Sequence, residues 1–447
     1  MAGFTLIDSS IVSIALPAIA SHFNRSVAEV AWVATGFLMA LAASLIPAGR
    51  LVDRLGARRV MLAGAIGFLV ATAASGLAPT FELLVVARVL QGVAGGVLYT
   101  LSLAIAATAY PAERRATSLS ILFTAGALGA VIGPVVGGLL TDLGGWRLVF
   151  LAQLPLSMLV VAMAWFLLKP TTPRPSRFDL PGVLTASLFV LAISFATLEL
   201  PRPGSGPIVV GAAIVAVLAL AAFIVRERRT EDPAVRLAIF GNGRFVVASV
   251  AGAGAWFAII SYSVFAALYL QLARGFPATT AGLLLLAAPI VSLAFFPIGG
   301  RVVRWLGVDR AVLLGVTLLL AGASLMAAWG QETPVWFIVV TNLLTGGGLA
   351  LTLVASATDA LSQFTPAEAG TGSALFNSLR QLGAAFGAAL PAVAFEFVAH
   401  GGRTADAALA GSSAAFLLRT VVLAIPFALV LLRWRRVLAM SPDEAIA

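Results

Sequence analysis

The chain contains no cysteine and only two histidines. The first absence excludes disulfides, thiolate metal sites and a cysteine nucleophile. The second argues against a buried histidine proton relay, because His22 and His400 both fall at expected outer helix ends. Charge is scarce as well: Asp, Glu, Lys and Arg make up 11% of the residues, against about 25% in soluble domains. No G-x-x-x-x-G-K-[ST] loop is present, which excludes an ATP-driven pump. No nucleophile–base constellation or metal cluster points to an enzyme. The basic n-region and small-residue cleavage site of a signal peptide are also missing. The first apolar run starts almost at Met1, so the first span is expected to be short or to lack upstream residues.

What the sequence does have is apolar length. Its 447 residues are 60% hydrophobic, with a mean hydropathy of +1.04. Runs of about 20 residues, each enough to cross a hydrocarbon core, recur from end to end. An all-α polytopic membrane protein follows. The expected spans are 4–22, 30–49, 60–77, 81–108, 117–140, 147–168, 179–198, 207–225, 244–271, 279–300, 310–329, 335–360, 371–398 and 412–433. These fourteen spans leave no room for a soluble domain.

The net charge of +9 does not point to nucleic acid, because the arginines lie in loops rather than on a soluble module. The loop from Gly49 to Arg59 carries Arg50, Arg54, Arg58 and Arg59 with Asp53. Anionic lipid on the cytoplasmic side attracts such residues, so this loop is expected to face inward. Twenty of the 28 Lys and Arg then fall at inner loops or ends, and six fall outside: Arg25, Arg147, Arg202, Arg274, Arg403 and Arg419. Arg88 and Arg380 remain within spans. Both termini are expected to be cytoplasmic, in the inner (plasma) membrane.

An internal repeat recurs at about 250 residues, as in transporters with two homologous halves. Gly300 to Gly307 echoes Gly49 to Gly56, with Arg304 where the first copy has Asp53. Pro366-Ala367-Glu368 echoes Pro111-Ala112-Glu113, and Gly383 and Gly387 echo Gly129 and Gly133. The expected organisation is a six-helix bundle over 1–170, two accessory helices and a loop over 171–243, and a second bundle over 244–447.

Four stretches carry candidate chemistry. Gly49 and Gly56 allow close helix approach and a tight turn. Asp53 is placed to meet the positive N-terminus of the eleventh span, around Asp309-Arg310-Ala311, as a latch between halves. A basic topology anchor is the simpler reading of the same loop. Arg88 lies about seven residues into the fourth span, where it needs a partner, water or a snorkelling route. Asp8 lies in an apolar span, where desolvation would bring its proton exchange towards neutral pH; Asp8-Ser9-Ser10 is otherwise a helix cap. In the fifth span Gly129, Gly133, Pro134, Gly137 and Gly138 suit a helix that bends or slides against the other half. Trp32, Phe37, Phe123, Trp256, Tyr262, Tyr269 and Phe376 are candidates for a hydrophobic cavity, and Arg380 for an anion contact or a gate brace. Glu82, Glu199, Glu396 and Asp359 read as solvated groups at span ends.

With these residues the chain resembles the major facilitator superfamily, and within it the fourteen-helix drug:proton antiporter branch. The loop fits the pattern G-x-x-x-D-R-x-G-x-R-R at Gly49, Asp53, Arg54, Gly56, Arg58 and Arg59. The fourth-span run Leu84-x-x-x-Arg88-x-x-Gln91-Gly92 and the fifth-span glycine run resemble further family motifs. The first span is similar to that branch's aspartate followed by T-I-V-N-V-A-L-P, with Ser10 and Ser13 replacing Thr and Asn. The resemblance implies two six-helix bundles with two inserted helices, working by alternating access. It implies multidrug efflux of hydrophobic, cationic or neutral compounds, driven by the proton-motive force with no other cofactor, and hence antibiotic resistance. Asp8 would carry the proton and Arg88 modulate it; Trp32, Phe123, Tyr262 and Arg380 would line the substrate cavity. The alternative is export of an endogenous solute such as a lipid, siderophore, amino acid or secondary metabolite. The second and tenth spans lack a deep acid, which argues against dicationic substrates.

Overall fold

A computed structural model describes residues 2–25, 27–108, 110–168, 179–200, 204–230, 237–365, 368–399 and 404–439. Several basic residues used above, together with His400 and Pro366-Ala367, fall outside this set: Lys169, Arg174, Arg177, Arg202, Arg236 and Arg403. Among the described residues the chain is helical throughout, with 13 stretches long and apolar enough to cross a membrane. They are preceded by α1, Ala2–Phe23. This is the architecture the apolar runs require, because a spanning backbone must satisfy its own hydrogen bonds.

The first half comprises α1, α2 (Val27–Leu55), α3 (Ala57–Gly76), α4 (Phe81–Thr108), α5 (Arg115–Leu151) and α6 (Leu154–Leu167). Then come α7 (Leu180–Glu199) and α8 (Gly206–Arg229). The second half is α9 (Gly243–Leu268), α10 (Ala278–Leu285), α11 (Ala287–Leu306), α12 (Val308–Met326), α13 (Val335–Leu361), α14 (Ala369–Ala399) and α15 (Ala405–Ala439). In the first half α1 packs on α5, α2 on α4, and α3 on both α4 and α6; in the second, α9 packs on α14, α11 on α13, and α12 on both α13 and α15. The same neighbour scheme is thus used twice. Helices α7 and α8 pair with each other and lean on α2 and α14 through α7. Their ends are tied by Arg226 and Asp179 at 3.0 Å.

Glycine sets the turns. Gly56 (φ 87°) and Gly307 (φ 78°) hold the same left-handed turn before α3 and α12, a conformation that costs any other L-residue. The expected fifth and sixth spans meet at Gly144-Gly145, where Gly145 has φ 73°, and Trp146 restarts the helix inside α5. The tenth span is divided between α10 and α11 around Leu286.

Two expectations about span ends are overturned. The last helix starts at Ala405 rather than near residue 412, because Thr404 accepts from the Ala407 amide through its hydroxyl, at 3.2 Å, and so caps it. Arg419 is therefore not at an outer loop: it is 0% exposed inside α15. Asp359 (3% exposed) and Glu199 are likewise buried rather than solvated, while Glu82 and Glu396 are exposed.

Candidate functional site

One end of the bundle, the basic end, bears the arginine-rich loops. Within the first half, well away from any loop, α1 and α4 bring Asp8 and Arg88 together. Both side chains are 0% exposed and their charged atoms stand 2.7 Å apart. Asp8 is no helix cap, since α1 begins at Ala2. Arg88 Nη1 also donates to Gln91 Oε1 at 2.6 Å, and Arg88 Nε donates to the Val33 carbonyl at 3.0 Å. Gln91 Nε2 donates to Asp8 Oδ1 at 3.1 Å and to the Thr72 hydroxyl at 2.8 Å. The guanidinium lies over the Phe37 ring, 4.3 Å from its centroid. A central arginine costs about 2.5–3.5 kcal/mol on an insertion scale, and here a carboxylate, two neutral acceptors and a ring offset that cost. Gln91 and Thr72 complete the network; Gln91 was legible only as part of a motif, and Thr72 carried no signal at all.

Between the halves lies a cavity of about 370 Å³, walled by α4, α5, α9, α11, α13 and α14. Its lining is apolar apart from a few groups. Phe123, Trp256 and Arg380 line it, as does Tyr99, which sequence reasoning did not single out. Arg380, buried on α14, sits among the rings of Trp256 (4.9 Å), Phe123 (5.3 Å) and Phe376 (5.5 Å). It donates to Asn377 Oδ1 at 3.1 Å and to the Tyr99 hydroxyl at 3.3 Å. Trp32 and Tyr262 are not at this cavity. Trp32 stacks on Phe195 of α7 at 6.2 Å. Tyr262 is buried inside the second half, its hydroxyl donating to the Leu285 carbonyl at 3.1 Å. Phe37 belongs to the Arg88 network, and Tyr269 packs against Trp329 at 4.9 Å.

The halves meet closely at the basic end. A Cβ added at Gly49 would stand 2.7 Å from the Gly370 carbonyl oxygen, and one at Gly300 would stand 2.7 Å from Thr117 Cα. The repeated glycines thus make cross-half contacts in both directions, α2 to α14 and α11 to α5. Arg304 donates to the Thr117 hydroxyl across the same seam. The Asp53 side chain lies outside the described residues, whereas its expected partner segment is already engaged: Asp309 pairs with Arg433, and with Arg244 at 3.5 Å. Arg433 also pairs with Asp359. Arg58 works within its own half, donating to the Trp165 carbonyl at 2.9 Å and lying over the Trp165 ring. Arg54 and Arg59 are exposed.

In the glycine run of α5, Gly137 meets a neighbour in its own half rather than the opposite one. Gly129, Gly133 and Gly137 are buried and Gly138 half-buried, and a Cβ at Gly137 would stand 2.8 Å from the Ile11 carbonyl oxygen of α1. Gly137 therefore seats α5 on α1 in the same half. The Pro134 side chain lies outside the described residues. Gly387 of α14 repeats this packing against Phe257 of α9.

Comparison with known proteins agrees with this architecture. The Major Facilitator Superfamily profile matches residues 1–388. The tetracenomycin C resistance and export protein of Streptomyces glaucescens is 32% identical over 86% of this chain and 72% of its own. The lincomycin resistance protein of Streptomyces lincolnensis is 32% identical over 99% of this chain and 89% of its own. The methylenomycin A resistance protein of Streptomyces coelicolor is 31% identical over 87% and 82%. Among solved structures, the human organic anion transporter MFSD10 aligns with a TM-score of 0.66 at 18% identity, over 96% of this chain and 97% of that one. The proton:xylose symporter XylE aligns with a TM-score of 0.66 at 17% identity, over 94% and 92%. With 13 membrane-length stretches among the described residues, two like halves and a cavity between them, this multi-pass membrane protein belongs to the major facilitator superfamily.

Proposed function

We propose that the protein exports hydrophobic small molecules in exchange for protons, by alternating access of the central cavity. The basic end faces the cytoplasm of the inner (plasma) membrane, and both ends of the chain lie on that side. The observation that carries the coupling is the Asp8–Arg88 pair. Removing one partner of a buried ion pair strands the other charge, at about 3–5 kcal/mol. A proton arriving at Asp8 therefore releases Arg88 and disturbs the packing of α1 on α4. Such a disturbance is the kind of local charge change that biases a two-state element. The close seam at Gly49 and Gly300 marks a state shut towards the cytoplasm. The resistance and export proteins among the relatives support drug-like cargo.

The test is proton release from acidified inside-out vesicles on addition of hydrophobic dyes. Wild-type protein should release protons with each transported dye, and Asp8→Asn should abolish release. Undiminished release by Asp8→Asn would remove Asp8 from the mechanism. Dye accumulation without any proton movement would end the antiport reading.

A further inference from the structure

We infer that the cavity selects hydrophobic anions: compounds with an apolar ring system and one carboxylate or phenolate, which Arg380 binds. This rests on the export reading above and names its substrate class.

Four interior arginines can be compared: two of them, Arg380 and Arg419, have no ion pair among the described residues, and of these two only Arg380 lines the cavity. Arg88 has the Asp8 carboxylate and Arg433 has two aspartates. Arg380, buried in the cavity wall, has no ion pair among the described residues; its partners are an amide oxygen and a hydroxyl. Its charge is uncompensated. Among the described residues no aspartate or glutamate lines the cavity, so a cation bound there would face a guanidinium in a low-dielectric space with none of these residues to offset the repulsion.

The unspent hydrogen-bonding capacity has the same sign. Three buried atoms on lining residues have no partner among the described residues: Arg380 Nε, Asn377 Nδ2 and Trp256 Nε1. All three are donors. The lining residues thus hold spare donors, the kind of group that a ligand rich in acceptors would satisfy. Arg380's existing contacts, at 3.1 and 3.3 Å, are longer than a charge-assisted bond of about 2.7–2.9 Å. An incoming carboxylate replaces them with stronger ones, in the forked geometry that a guanidinium presents. The rings of Phe123, Trp256 and Phe376 meanwhile surround the guanidinium within 5.5 Å. The apolar remainder of the wall suits the ring system.

The test is equilibrium binding of three probes to the purified protein at neutral pH: pyrenebutyrate, its carboxamide and pyrenebutylamine. They share one hydrophobic body and differ in head-group charge. Wild-type protein should bind the carboxylate about tenfold more tightly than the amide, with the amine weakest. Arg380→Gln should bring the carboxylate-to-amide affinity ratio from about tenfold to about one, in a variant whose unfolding transition in detergent shows that it is folded. If that variant does not fold, the wild-type series decides alone. An amine bound as tightly as the carboxylate, or a preference that survives Arg380→Gln, overturns the inference and leaves the export reading standing. Failure of all three probes to bind overturns both.

Discussion

Gly49 and Gly300 occupy the same place in the two halves, and each lets its helix touch the backbone of the opposite half. A side chain at either position would stand 2.7 Å from a backbone atom across the seam. Backbone cannot give way as a flexible side chain does. Overpacking of this kind costs about 1–3 kcal/mol, and here the cost falls only on the state in which the seam is shut.

Gly300→Val should therefore open the basic end. The lack of native cysteine makes the measurement direct, since a single Ser120→Cys reports on the seam beside Gly299. A shift of that size predicts labelling by an impermeant maleimide roughly five- to a hundredfold faster in the Gly300→Val background. Equal labelling rates would show that the seam is not what closes this end.

Breaking the Asp8–Arg88 pair should destabilise the protein from either side, but removing both charges should not. Asp8→Asn and Arg88→Gln each strand a buried charge, at about 3–5 kcal/mol. The double variant should recover most of that loss in detergent thermal unfolding while still failing to couple protons. Additive losses would mean that the two side chains do not depend on each other.

Arg58 distinguishes a gate from a brace. Its contacts with Trp165 bind α3 to α6 within one half, as Asp309 and Arg433 bind α12 to α15 in the other. Arg58→Ala should cost about 0.5–1 kcal/mol of stability, the range of an exposed cation–π contact, and reduce transport far less than Gly49→Val. Loss of transport equal to that of Gly49→Val would return Arg58 to the gate.

The sequence announced some of this and hid the rest, for physical reasons. Membrane insertion is read from local apolar length, so the spans and the repeat were legible. Asp8 and Arg88 stood out because a charge inside an apolar run demands a partner. The identity of cavity residues depends on how helices are rotated against each other, which no local pattern states. Trp32 and Tyr262 were indistinguishable from Phe123 and Trp256 in sequence, yet they face α7 and the interior of the second half. Tyr99 was passed over in an ordinary apolar run. Gly137 signalled close packing, but not whether α1 or the opposite half supplied the neighbour. Arg419 was counted outside although it falls within the expected span 412–433, and the helix start at Ala405, capped by Thr404, puts it deeper still.

Arg419 gives the sharpest stability prediction. It is wholly buried in α15, and its nearest polar partner is the Met326 sulfur, which accepts from Nη1 at 2.8 Å. Its Nε and Nη2 atoms have no partner, and the described residues offer it no ion pair. The neighbouring Tyr262 ring, 6.0 Å away, is weak compensation for a desolvated charge. An unsatisfied buried polar group costs about 1–3 kcal/mol, more when charged. Replacing it with an apolar side chain of similar length removes that penalty and keeps the volume. Arg419→Met should therefore raise the unfolding temperature in detergent, the reverse of what Arg88→Gln does. A fall in that temperature would mean that Arg419 is held by an interaction strong enough to offset its burial.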